Sequence, residues 1–259
     1  MSNIEHSLAI NFFGLALFAA IFPIFLAWCV NRFWHAGWGW WFYGMPFFLA
    51  AEAINFALGS LYARMRIVRA MFSILAATSL FSGPIEESMR YLGYRLVRRP
   101  AEIRWQEAIM FGLGHGAIET MAEKTLRFLG YGCLLVFVPP GNAKRLGLRD
   151  GTYGRVFAAR AAVASLSVWD VRFVSLGIAC DQIIHASLAV ITVQSVLGRR
   201  ASWLLAAMIV HSTFDFVIMV ALPRFFTRPS APIIAVACAT LILGYIGIRL
   251  RPPRSVENA

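Results

Sequence analysis

A long run without any charged residue, from Leu8 to Val30, limits what this chain can fold into more than any other feature. One helix needs about 20 consecutive apolar residues to cross a bilayer. The run therefore predicts a membrane-spanning helix. Further apolar runs follow at Trp38–Ala63, Ile67–Phe81, from Trp105 onward, Phe128–Val138, Phe173–Leu197, Ser202–Leu222 and Ile233–Leu250.

The amino-acid composition agrees with a chain built for lipid. Only 14% of the residues are charged and 59% are hydrophobic, whereas soluble domains carry about 25% charged residues. We therefore predict an all-α, polytopic integral membrane protein that forms one transmembrane domain over residues 1–259. It should have seven to eight transmembrane helices around a polar intramembrane cavity.

The net charge of +11 raises the question of nucleic-acid binding. The basic residues fall mainly in short connectors between apolar runs, with no basic groove interleaved with aromatic residues. This distribution favours contact with the anionic surface of a bilayer and predicts no nucleic-acid partner. The longest basic segment, 141–172, is predicted to be a connecting loop that holds surface helices around Val156–Leu166.

The stretch Ser82–Tyr91 carries two adjacent acids, Glu86 and Glu87, with Arg90 one helical turn later. A Gly83-Pro84 pair precedes them and predicts a break, because proline is best accommodated in the first turn of a new helix. Both carboxylates would then lie in that first turn and reach Arg90 at spacings of three and four residues. Taken alone, this pattern is typical of an ion-paired helix cap.

Later helices carry further acids and histidines at membrane depth. His115 and Glu119 are four residues apart, which places them on one face of a helix. Facing lipid, such groups would cost several kcal/mol each, so we expect them to face one another or a cavity. A satisfied intrahelical hydrogen bond would explain any single pair, whereas several pairs together favour a functional site. Two further pairs have the same spacing, Asp181 with His185 and His211 with Asp215.

Such a set of residues can support hydrolysis of an acyl bond by activated water. A carboxylate assisted by a histidine takes the proton from water, and donors on another helix stabilise the oxyanion. The sequence holds neither a G-x-S-x-G element nor H-E-x-x-H, which argues against a serine hydrolase elbow and the commonest zinc motif.

Three motifs occur in order on successive predicted helices: Glu86-Glu87-x-x-Arg90, Phe111-x-x-x-His115 and His211-x-x-x-Asp215. In this order they resemble the CPBP superfamily of CAAX-processing and bacteriocin-related intramembrane proteases. The Gly-His-Gly-x-x-Glu block at 114–119 and the additional His185 are similar to the YhfC-type branch. The resemblance covers roughly residues 80–218, the predicted motif-bearing core.

The resemblance implies an intramembrane endopeptidase in which Glu86 activates water and His115 positions that water. Glu87 and Arg90 would orient the base or pair with each other. His211 would help to form the oxyanion site, and its usual partner in the family is asparagine. Here the partner is Asp215, which could be protonated or could orient His211. The supporting residues would be Glu119, Asp181 and His185.

No cofactor is predicted for this mechanism, with zinc as the alternative; its ligands would be Glu86, His115, His185 and His211. The expected substrate is a membrane-embedded or lipidated peptide, and the expected location is the bacterial plasma membrane, with several passes. The oligomeric state stays open. A different class of function, a non-catalytic transporter or scaffold with a proton path, would use the same polar residues.

Overall fold

The computed structural model of the chain describes residues 2–65, 74–97, 102–138 and 150–221, together with Thr240 and Gly244. Within these ranges all regular structure is helical, as predicted. Two π-helical turns occur there: Glu119–Lys124 follows the helix that ends at Ile118, and Val217–Ala221 extends the helix that ends at Phe216. The α-helices are α1 Asn3–Trp34, α2 Trp38–Arg64, α3 Ile74–Leu96, α4 Trp105–Ile118, α5 Thr125–Phe137, α6 Asp150–Ala164, α7 Val168–Leu197 and α8 Ala201–Phe216.

Three of these helices, α1, α2 and α7, are long and apolar enough to cross a membrane, and α8 is apolar but shorter. Large apolar side chains stand on their outer surfaces; Phe56 of α2, for example, is 78% exposed. Lipid is the natural surrounding for such a surface. The last predicted span, Ile233–Leu250, lies outside the described residues apart from Thr240 and Gly244.

Helix α4 lies at the centre of the packing and contacts α1, α2 and α7. Helix α3 packs on α2 and α8, and α7 contacts both α3 and α8. This arrangement brings the motif-bearing helices α3, α4, α7 and α8 together, so the polar residues of all four meet in the interior.

The predicted break at Gly83-Pro84 is wrong, because α3 runs through both residues and carries Glu86 and Glu87 within it. Proline cannot donate to the carbonyl four residues earlier, that of Leu80. The hydroxyl of Ser212 donates to this carbonyl instead, over 2.8 Å. Gly83 permits the contact: a Cβ atom there would lie 2.7 Å from the carbonyl oxygen of Met208 in α8. The pair thus docks α8 rather than starting a helix.

The segment 141–172, predicted to be a connecting loop with surface helices, contains more helix than expected. Residues 141–149 lie outside the described residues, but 150–164 form α6 and α7 begins at Val168. Helix α6 overlaps the predicted surface helices and docks through Arg160, which is 6% exposed. Its Nη2 donates to Glu5 Oε1 at the start of α1 over 2.7 Å.

Candidate active site

A cavity of about 590 Å³ opens between α2, α3, α7, α8 and the π-helical turn. Its position matches the polar cavity expected from the sequence, since the acids and histidines of several helices meet there. Its ionisable lining residues are Glu52, Glu86, Glu119, Glu123, Asp181, His185, His211 and Asp215.

Glu87 lies in the wall behind this cavity, with its side chain 0% exposed. Its Oε1 accepts from Arg90 Nη1 and from His211 Nδ1, the latter over 2.8 Å. Its Oε2 accepts from the hydroxyl of Thr192 in α7 over 2.6 Å. Both oxygens are therefore engaged by α3, α7 and α8, and the carboxylate ties these three helices together.

Glu86 has a different environment, since it lines the cavity. Its Oε2 lies 3.1 Å from His115 Nε2 and 3.4 Å from Arg90 Nη2. His211 Nε2 is 3.8 Å from the same oxygen. Of the two adjacent glutamates, Glu86 is thus the one that combines cavity access with a histidine and an arginine.

Arg90 is completely buried and also contacts His185 of α7 through Nη2. A guanidinium has no acceptor, so Nδ1 of His185 must accept this hydrogen bond. We therefore assign the ring proton to Nε2, which donates to Glu119 Oε2 over 2.8 Å.

His185 links two groups of polar residues. The inner cluster comprises Glu86, Glu87, Arg90, His115, Thr192 and His211.

The outer cluster lies on the other side of His185 and consists of Glu119, Thr120, Lys124 and Asp181. Lys124 Nζ is 3.1 Å from Glu119 Oε1 and 2.7 Å from Asp181 Oδ2. About a fifth of each of these three side chains is exposed, at 20–22%. The outer cluster is therefore partly open to the cavity.

The three acid–histidine pairs form only in part as the sequence predicts. His211 Nε2 lies 3.6 Å from Asp215 Oδ2, and His185 Nε2 lies 3.8 Å from Asp181 Oδ1. The third histidine, His115, has a nearer acid on another helix, Glu86. Glu119 likewise bonds His185 rather than the histidine in its own helix.

Asp215 also accepts a hydrogen bond from the hydroxyl of Ser82 in α3. This contact places the Asp215 carboxylate between α3 and His211. Of the two roles expected for this residue, the arrangement favours orientation of His211, because Asp215 Oδ2, the oxygen that accepts from Ser82, also lies 3.6 Å from His211 Nε2.

The glycines around His115 serve close helix packing. A Cβ on Gly112 would lie 2.6 Å from Ala189 Cβ, and one on Gly116 would lie 2.6 Å from His185 Cδ2. A Cβ on Gly114 would lie 2.7 Å from the carbonyl carbon of Trp41 in α2. They bring α4 against α7 and α2, which seats His115 and His185 with ring centroids 5.6 Å apart.

Sequence reasoning missed Thr192, Gln182 and Lys124. Thr192 and Gln182 stand within an apolar run and give no spacing signal with the groups they contact, which are Glu87 for Thr192 and the Gly116-to-Thr120 turn for Gln182. Lys124 is five residues after Glu119, a spacing that an α-helix does not place on one face. Only the π-helical turn brings the two side chains together.

The residues fit a zinc ion in type and spacing. Donor atoms of Glu86, His115 and His185 lie within 4.8 Å of one another, and two imidazoles with a carboxylate are a common catalytic zinc set. Within the described part of the chain, the buried Nδ1 of His115 has no hydrogen-bond partner. His211, the fourth predicted ligand, is not in this group.

Several packed helices, among them a candidate membrane span, bring ionisable residues together in their interior. This arrangement is typical of membrane proteins with a functional polar site inside the bilayer. The chain belongs to the YhfC intramembrane metalloprotease family, whose sequence profile matches residues 18–235. The match includes the whole predicted core, 80–218, and confirms the resemblance to the YhfC-type branch. The protein is thus a membrane hydrolase of the intramembrane protease class. Comparison with curated proteins gives no match, and comparison with solved structures gives none.

Proposed function

We propose that this protein is an endopeptidase that hydrolyses a peptide bond of a membrane-embedded or lipidated peptide, with Glu86 as the base that activates water. One observation carries the proposal. Glu86 lines the cavity and lies 3.1 Å from His115, while Glu87 has both oxygens engaged in the wall. A base must have room for water beside it, and only one of the two glutamates has that room.

In this mechanism Glu86 takes a proton from water while the oxygen of that water attacks the scissile carbonyl carbon. His115 Nε2 fixes the carboxylate in position over 3.1 Å. Glu86 then returns the proton to the leaving amine as the carbon–nitrogen bond breaks. The products are a carboxylic acid and an amine, and no other reactant is consumed.

The oxyanion needs donors directed into the cavity. His211 Nε2 faces Glu86 and Asp215 and can donate there when it carries a proton. Asp215 and Glu87 hold the two edges of this ring, and Ser82 in turn holds Asp215. Arg90, the partner of Glu87, contributes fixed positive charge at the base of the cavity.

A zinc-dependent protease is the second candidate, favoured by the donor set of Glu86, His115 and His185. When bound there, zinc would supply Lewis-acid polarisation of the scissile carbonyl. One contact of His185 weighs against it: Arg90 occupies Nδ1 and must yield before that nitrogen can ligate an ion, whereas the bond from Nε2–H to Glu119 is the carboxylate contact that a zinc-bound histidine usually makes. We therefore rank the glutamate mechanism first.

Cleavage of candidate membrane peptides by purified protein in proteoliposomes, run in ¹⁸O-labelled water, tests this proposal. We expect one ¹⁸O atom in the new carboxyl group and turnover that persists at substoichiometric zinc by elemental analysis. Stoichiometric zinc, with activity lost to a chelator and restored by the metal, would establish the zinc mechanism instead. Proton-coupled uptake without cleavage would favour a transporter. Fractionation of bacterial cells tests the proposed location in the plasma membrane.

A further inference from the structure

Lys124 stands at the end of the π-helical turn, between two carboxylates that lie on different helices. Its Nζ contacts Glu119 Oε1 over 3.1 Å and Asp181 Oδ2 over 2.7 Å. We propose that Lys124 is a positioning residue: its ammonium holds Glu119 and Asp181 against the Nε2 edge of His185 and so keeps Glu119 in place as the acceptor of the Nε2–H, while Arg90 sets the tautomer from Nδ1. The inference deepens the proposed function, on which its catalytic consequence rests.

The π-helical turn makes the contact possible. At 3.6 residues per turn, side chains five residues apart point about 140° away from each other. Hydrogen bonds between residues five apart, the π-helical pattern, bring Glu119 and Lys124 to the same side. Such turns are frequent at functional sites, and here the turn places a cation and an anion of one helix beside the same histidine.

Gln182 of the neighbouring helix α7 fixes this turn by hydrogen bonds. Its Nε2 donates to the carbonyl oxygen of Gly116 and to the hydroxyl of Thr120, each over 2.8 Å. Gln182 is completely buried, so these bonds do not exchange with bulk water. The turn is therefore fixed to the same helix that carries Asp181 and His185.

The two carboxylates need a cation between them. Glu119 Oε2 lies 2.8 Å and Asp181 Oδ1 lies 3.8 Å from the same nitrogen, His185 Nε2. Two like charges at this separation repel in a low-dielectric interior. The ammonium of Lys124 bonds the other oxygen of each acid, which offsets the repulsion and leaves one oxygen of each for the histidine.

Glu119, Asp181 and His185 also have the spacing of a metal-binding group. Lys124 already supplies the cation that such a group would attract. Its point charge and flexible stem suit this place better than a planar guanidinium, which would favour one bidentate carboxylate.

Fixing His185 Nε2–H has a consequence for the inner cluster. Because Nε2 carries the proton, Nδ1 presents a lone pair to Arg90. Arg90 in turn lies 3.4 Å from Glu86. Lys124 thus acts on the proposed base through Glu119, His185 and Arg90, without a contact of its own to Glu86.

The test combines ¹⁵N NMR of histidine-labelled protein with steady-state kinetics. Five histidines occur in the sequence, so His185→Gln assigns the relevant signals. In Lys124→Met we expect the His185 signals to depart from the hydrogen-bonded Nε2–H pattern, because Glu119 is no longer held as the acceptor, with the tautomer still set by Arg90. Loss of the outer partner of a metal-ligating histidine typically costs about 10–100-fold in metal affinity or activity, and the low end applies here because Lys124 reaches His185 only through Glu119 and Asp181. We accordingly expect kcat to fall about tenfold, with KM within about twofold, and Lys124→Arg to restore part of the loss.

Arg127→Met is the matched control, since it removes an exposed cation from the next turn and breaks a pair with Glu123. It should change neither the His185 signals nor kcat. An unaltered Nε2–H pattern in folded Lys124→Met protein would overturn the proposal. Because the NMR readout does not depend on cleavage, it separates this inference from the proposed function.

Should Lys124→Met fail to fold, the double variant Lys124→Met with Asp181→Asn keeps the inference testable. Removing one carboxylate charge relieves the repulsion, so we expect the double variant to recover folded protein with the Nε2–H pattern held by Glu119. A double variant no better folded than the single one would contradict the role of repulsion and overturn the proposal.

Discussion

The inner and outer clusters use nearly the same chemical groups in different surroundings. Each has two carboxylates and one cation, but the inner cation is Arg90, completely buried, and the outer cation is Lys124, with 20% of its side chain exposed. Arg90 reaches Glu86, Glu87 and His185 at once, whereas Lys124 bridges two acids. The planar fork of arginine suits several fixed partners.

This comparison shows how burial changes the free-energy cost of removing one partner of an ion pair. Removing one member of a fully buried pair leaves a charge that neither water nor protein compensates, which costs about 3–5 kcal/mol. A partly exposed pair loses much less, because water takes the place of the missing partner. We therefore expect the inner cluster to set whether the protein folds and the outer cluster to tune how the site works.

The largest expected effect follows from Glu87→Leu. It leaves His211 without Glu87 and Arg90 with only the more distant carboxylate of Glu86, 3.4 Å away, in a site that is 0% exposed, so the unfolding free energy should fall by about 3–5 kcal/mol. Glu119→Leu should cost only about 1 kcal/mol, since Lys124 keeps Asp181. Thermal unfolding in detergent measures both. Equal destabilisation by the two variants would show that the inner and outer clusters contribute equally to the unfolding free energy, contrary to this account.

A smaller effect is expected at the boundary between the clusters, where Gly116 faces His185. In Gly116→Ala the new methyl would lie 2.6 Å from His185 Cδ2, and such overpacking costs about 1–3 kcal/mol. Gly130→Ala in α5 is the control, because a Cβ there meets nothing within 4 Å. A thermal midpoint in Gly116→Ala as high as in the control would show that α4 and α7 are less closely packed than described.

The smallest effect is expected from Arg127→Met. Its ion pair with Glu123 is exposed at 47% and 51%, and exposed pairs of this spacing contribute roughly 0.3–0.5 kcal/mol. The thermal midpoint should hardly change. A loss above about 1 kcal/mol would mean that this pair also supports the outer cluster.

Much of the fold followed from the sequence, because charge-free runs leave few alternatives in a bilayer. The starts of α2 and α4 are confirmed at Trp38 and Trp105. The break at Gly83-Pro84 failed for a physical reason: a kink-forming residue is tolerated when a neighbour satisfies the freed carbonyl, and that neighbour, Ser212, is far away in the chain.

The acids and histidines of the candidate site were predictable from the sequence, but the pairs that they form were not. Spacing within one helix suggested His115 with Glu119, while the structure pairs His115 with Glu86 across helices. Pairing across helices depends on helix rotation, which periodicity does not fix. The roles of Glu86 and Glu87, identical in the sequence pattern, separate only through Thr192 and His211, which occupy the oxygens of Glu87.

The cleavage rate of Glu86→Gln, compared with wild type under single-turnover conditions, tests the central claim most directly. Glu107→Gln, at the distant first turn of α4, is the matched control because glutamine also serves in a capping box. We predict a fall of about 10²–10⁴-fold in the rate of folded Glu86→Gln protein, with the control rate unchanged. A Glu86→Gln protein that cleaves at the wild-type rate would contradict the account.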